Sequence, residues 1–146
     1  MTNCATYTGD LVIELNEESD WDLNYVNGQP CMTDGFDTAV MLSVFGEPDF
    51  WQNSLTNDPK EKYISEFPSV IKTGKVTDDT LKTGKAAIER ALLFLKNSGI
   101  AQEIIVSGGV LSVFGLYWLI EIGRGNVVTR YQINWNKGAV SVSRSV

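Results

Sequence analysis

The chain has 146 residues, 43% of them hydrophobic, which is enough for one domain with its own core. It has no histidine, so it lacks the commonest general base and transition-metal ligand and every histidine-based nucleophile pair, and two cysteines cannot complete a zinc site. The net charge of −6 argues against a nucleic-acid surface, and it is unevenly placed: residues 1–59 carry 11 acidic and no basic side chains, whereas residues 60–146 carry 12 basic and 7 acidic ones.

That asymmetry fits two halves neutralising each other inside the fold. It equally fits a subunit meeting a basic partner on one side and an acidic one on the other. The N-terminus lacks the basic start and apolar run of a signal peptide, so Cys4 and Cys31 are expected to be free thiols. The longest uncharged, mostly apolar run, Ile104 to Ile120, is broken by Ser107-Gly108-Gly109, Ser112 and Gly115, and is too short and interrupted to span a bilayer as a helix.

Residues 1–9 are small and polar and read as a loose arm, and Asp10 to Leu15 as a short strand. The acidic turn from Asn16 to Asp22 has clustered carboxylates without EF-hand spacing. Asn27-Gly28 lies between two strand-like runs, a strong hairpin signal, and Pro30 keeps the second strand short or at an edge.

Thr33 to Gly46 predicts a short helix that is apolar nearly all round and therefore buried. Asp34 or Asp37 would cap its start, and a left-handed Gly46 would end it, with Pro48 beyond. Phe50 and Trp51 follow, either closing the core from outside or anchoring a partner. Residues 54–76 read as a long loop with one helical turn near Lys60–Glu66.

Thr77 opens a long helix with Leu81, Ile88, Leu92 and Leu95 on one stripe and Lys82, Lys85, Arg90 and Lys96 off it. Gly84 in that helix is either a defect or a point of close packing. Three strands follow: Ala101 to Ser107 turning at Gly108-Gly109, Val110 to Ile122 apolar on both faces and so covered twice, and Val127 to Trp135 alternating cleanly. The fold class expected is α+β: an N-terminal hairpin and two main helices packed on a C-terminal antiparallel three-stranded meander. Residues 1–136 form the domain. In the tail, residues 137–146, Val140, Val142 and Arg144 alternate with small polar residues. That tail is either frayed or a strand exchanged with another chain.

This order of elements resembles the Mu-type phage baseplate protein family, related to the small wedge or sheath-initiator proteins of contractile tails. The matching residues are Asn27-Gly28, the run Thr33-Asp34-Gly35-Phe36-Asp37-Thr38-Ala39-Val40-Met41-Leu42-Ser43-Val44-Phe45, the aromatic Phe50-Trp51, Ala91-Leu92-Leu93-Phe94-Leu95, and Gly99-Ile100-Ala101. The resemblance spans residues 10–136. It implies a structural subunit of the virion, made in the host cytoplasm, that joins the wedge scaffold to the hub and the start of the sheath. Its implied partners are wedge, hub, sheath and tube proteins in a multi-copy assembly, with no nucleic acid, membrane or cofactor. Phe50, Trp51, Val140, Val142 and Arg144 are the candidate partner contacts.

Two other readings compete. The acidic N-terminal half suits an inhibitor or immunity-type protein for a basic partner. Paired carboxylates such as Glu47 and Asp49 could serve a glycosidase, but no pattern singles out an acidic pair, and a non-enzymatic role is expected.

Overall fold

The computed structural model describes residues 10–15, 18, 20–33, 35–47, 51–59, 62, 64–136 and 139–145. The N-terminal segment makes three short antiparallel pairings: β1 (Asp10–Leu11) with β6 (Met32–Thr33), β2 (Ile13–Leu15) with β3 (Trp21–Leu23), and β4 (Tyr25–Val26) with β5 (Gln29–Pro30). The three breaks between them are joined. The Val12 amide donates to the Cys31 carbonyl (2.9 Å), the Cys31 amide to Asn24 (2.7 Å) and the Asn24 amide to Val12 (3.1 Å). This closed ring of backbone bonds satisfies groups that the strands leave over. Asn27 and Gly28 both have positive φ (52° and 75°), as the predicted two-residue hairpin turn requires.

Helix α1 (Phe36–Phe45) has no exposed residue, as its all-round apolarity predicts. Its ends differ from expectation. Gly35, at φ 88°, is the N-cap, with no side-chain cap, and Asp37 is used elsewhere. Gly46 is extended (φ −66°) rather than left-handed. Its amide closes the helix on Leu42, and its carbonyl accepts from the Ser65 amide (2.8 Å). The end of α1 is thereby tied to the segment entering α2 (Phe67–Thr73), which lies inside the stretch expected to be a loop. Phe67, fully buried, is the reason: an aromatic that deep needs ordered backbone around it.

Helix α3 (Asp78–Asn97) starts where expected, with Thr77 Oγ1 accepting from the Thr80 amide (3.3 Å). Ile88, Leu92 and Leu95 are buried as predicted. Gly84 is a point of close packing: a Cβ there would lie 2.6 Å from Trp118 Cζ2.

The C-terminal sheet has four strands, not three: β7 (Glu103–Ser112), β8 (Gly115–Arg124), β9 (Val127–Asn136) and β10 (Ala139–Ser145), antiparallel in the order β10-β9-β8-β7. β10 is the tail. It pairs with its own β9, from Ala139 opposite Asn136 to Ser145 opposite Arg130. β7 runs through Gly108-Gly109, so the turn falls at Val113-Phe114.

Leu116, Trp118, Ile120 and Ile122 of β8 and Thr129, Tyr131, Ile133 and Trp135 of β9 are buried. They pack against the helices. The opposite face, expected to be covered because of Tyr117 and Leu119, has no buried residue in β8 or β9 except Gly115 at the start of β8. Those two side chains are half-buried among their neighbours instead. The Tyr117 ring lies across Gly109, where a Cβ would meet it at 3.0 Å. An aromatic chain joins the N-terminal strands to the sheet: Trp21 to Phe45 (5.0 Å between centroids), Phe45 to Phe67 (5.6 Å) and Phe67 to Trp118 (5.0 Å).

The expectation of free thiols is also corrected. Cys31 is 2% exposed and disulfide-bonded. Cys4, the chain's only other cysteine, lies outside the described residues. The expectation rested on the general rarity of disulfides in reducing compartments, which carries no information about the burial of Cys31 in this fold.

Candidate interaction surfaces

The predicted contact residues divide into two groups. Phe50 lies outside the described residues. Trp51 begins a 3-10 turn (Trp51–Leu55), and its side chain also lies outside them. Val140, Val142 and Arg144 lie together on the helix side of β10, opposite Trp135, Ile133 and Tyr131. The two valines pack against the core of their own chain.

Arg144 reaches Asp37 on α1, its Nε donating to Oδ1 at 2.8 Å, and the Tyr131 hydroxyl donates to the same oxygen. Both charged side chains are mostly covered, Arg144 at 26% and Asp37 at 17% exposure. Burial first, then the hydrogen bond to Asp37 and its negative charge, push the Tyr131 hydroxyl well above the usual tyrosine range. For Arg144, burial pulls downward, but the Asp37 charge and the hydrogen bonds to Tyr131 and Asp37 outweigh it, and its pKa is raised. A tail that reads as either frayed or donated is thus fastened to the first helix of its own chain. The signal for this was present in the sequence: Asp37 is a lone charge in a helix destined for burial, and such a charge needs a buried cation.

Beside this latch, an apolar cleft of about 520 Å³ lies between the N-terminal strands, α1, α2 and β10, lined by Leu15, Trp21, Met41, Phe45, Ile71 and Val140. At its rim Glu47 pairs with Lys72 (2.5 Å). Glu47 is therefore held by a cation, and Asp49, the other carboxylate of that pair, lies outside the described residues. Glu18, Asp20 and Asp22 of the acidic turn are exposed. Among the described residues no group of three or more histidine, cysteine, aspartate or glutamate side chains could hold a metal ion, and no helix is long and apolar enough to cross a membrane.

The feature missed in the sequence is at the other edge of the sheet. Val110, Leu111, Val113 and Phe114 are exposed, Val113 at 82% and Phe114 at 63%. β7 pairs only with β8, so among the described residues no strand covers its outer edge. Reading Gly108-Gly109 as a turn hid this, because it divided one long strand into two short ones. Comparison with protein-family models, curated proteins and solved structures gives no match to this chain.

Proposed function

We propose that the chain is a structural subunit of a contractile phage tail baseplate, joining the wedge scaffold to the hub and the start of the sheath. The family resemblance over residues 10–136 supplies the reading. The observation that most supports it is the open sheet, with helices on one face and an uncovered face, edge and apolar hairpin tip on the other. A chain that works inside an assembly needs surfaces of this kind, because neighbours complete them. The disulfide at Cys31 suits a particle that persists outside the reducing cytosol. Its partners are then wedge, hub, sheath and tube proteins.

The test is a nonsense mutation in the gene, with the tails examined by electron microscopy and the purified tails by mass spectrometry. The expected result is loss of sheathed tails in the mutant and presence of the chain in wild-type baseplates. Complete sheathed tails without the chain overturn the proposal.

One observation favours a second reading, a binding protein for a basic partner: Glu18, Asp20 and Asp22 are exposed together in a segment without basic residues. That reading predicts a one-to-one complex that weakens steeply with salt. A chain found only in multi-subunit particles argues against it.

A further inference from the structure

We propose that β7 is a self-association edge, along which a second copy of this chain pairs antiparallel to make one continuous eight-stranded sheet. Every second residue of an edge strand directs its amide and carbonyl away from its neighbour, and these groups bond best to another strand. Edges in soluble chains are normally guarded by charge, proline or short length. β7 is lightly guarded: it is ten residues long, contains no proline, and is uncharged from Ile104 to Ser112, with Glu103 at its start and one register shift against β8 between Val110 and Ser112, so that it is regular from Glu103 to Val110. Its side chains are exposed as well, Ile105 at 45% and Val110 at 65%.

The occupant follows from the strand's fit to its own image. A two-fold axis normal to the sheet keeps like faces together, so residues of equal parity must oppose. Centred on Gly108, it sets Val106 against Val110 of the second copy, and Ser107 against Gly109. The exposed Val110 thus meets the buried Val106, the nearest apolar side chain of β7 on the same face across Gly108. The single charge, Glu103, is carried to the far end, roughly 33 Å from its counterpart at about 3.3 Å per residue. That is well beyond the ~8 Å over which exposed charges interact at physiological salt.

The nearest charges on the open face, Glu121 and Arg130, already pair with each other (3.2 Å). Two chains of net charge −6 can therefore meet here without local repulsion. The opposite edge does not invite a filament, since β10 carries Arg144 and β2 packs against it. Pairing closes at two copies.

The test is light scattering on the full chain across a concentration series, with Ile105→Lys and Val110→Lys as variants. The wild type is expected to approach twice the 16.1 kDa chain mass at high concentration. Each lysine is expected to weaken association at least tenfold while the far-UV circular dichroism stays native. Hydrogen exchange on the wild type alone gives a readout independent of any variant. β7 amides are expected to exchange faster on dilution, with β8 and β9 unchanged. A wild type that is monomeric throughout, or a dimer that both lysines leave intact, or β7 exchange independent of concentration, each overturns the proposal.

Discussion

Asp37 is the only charged side chain of α1, and three elements depend on it. It receives Arg144 from β10 and the hydroxyl of Tyr131 from β9. Hydrogen bonds to charged groups contribute about 1.5–3 kcal/mol each, and less where water reaches them. Asp37→Ala and Arg144→Ala are each expected to cost about 1–3 kcal/mol in urea unfolding, with the double variant well short of their sum. Additive losses would show that the pair does not couple. Tyr131 gives a pH test. Its pKa is raised in the folded chain, so the folded state keeps a proton that the unfolded state releases above its ordinary value of about 10. The stabilisation is full below that pH and is lost as pH rises through it. The stability gap between wild type and Tyr131→Phe is therefore expected to be constant to about pH 9. Above about pH 10 it should narrow by at most ~1.4 kcal/mol per pH unit. Urea midpoints from pH 8 to 11 check this, and a gap constant to pH 11 contradicts it. Gly84 is the other residue on which packing turns. Alanine there gains roughly 1 kcal/mol of helix propensity but drives a methyl into the buried indole of Trp118. Overpacking against a ring with nowhere to move costs about 1–3 kcal/mol, so Gly84→Ala is expected to destabilise on balance. A variant more stable than wild type would show that α3 can back away from the sheet.

The elements differ in how far the sequence disclosed them. Helix α3 was legible because its cap and its stripe agree, and each acts within a turn or two of itself. Burial of α1 was legible from composition, but its ends were not. Asp37 could cap locally or pair at long range, and only the position of Arg144, 107 residues away, decides which. The open face of the sheet was misread for a related reason. Tyr117 and Leu119 look like core residues, yet they are half-covered within the sheet, partly because Gly109 leaves room for the Tyr117 ring. The tail was legible as a strand but not as a strand of this sheet, because the alternation of valine with serine does not say which edge it joins. Its place in the sheet gives removal of residues 137–146 a defined consequence. The deletion strips Val140 and Val142 from the core, each contributing part of the roughly 1.5–3 kcal/mol of a fully buried valine, and also removes the Arg144 contact. A loss of about 3 kcal/mol or more is expected in denaturant unfolding, together with association through the newly exposed β9 edge. A truncated chain as stable and as monomeric as the full one would mean that β10 is only loosely held.

At the scale of the whole molecule, the N-terminal strands pair among themselves, and among the described residues their ties to the helices and the sheet include the Thr38 hydroxyl of α1 donating to the Leu11 carbonyl (2.8 Å), the aromatic chain from Trp21 to Trp118, and the contact of β2 with β10. Strands of two or three residues make too few ladder bonds to persist alone. The disulfide at Cys31 acts within these strands, where Cys31 also belongs to the ring of backbone bonds with Val12 and Asn24. A crosslink closing a loop of a few tens of residues restricts the unfolded chain by roughly 3–4 kcal/mol. Reduction is therefore expected to act unevenly. Amides of residues 10–33 should exchange much faster, by one to two orders of magnitude (about 1.4 kcal/mol per tenfold), while β8, β9 and α3 keep most of their protection. Cys31→Ala in the absence of reductant should behave as the reduced wild type does. The measurement is hydrogen exchange with and without a phosphine reductant. Uniform acceleration across the sheet would mean that the N-terminal layer and the sheet open as one unit, with the aromatic chain rather than the disulfide holding them together.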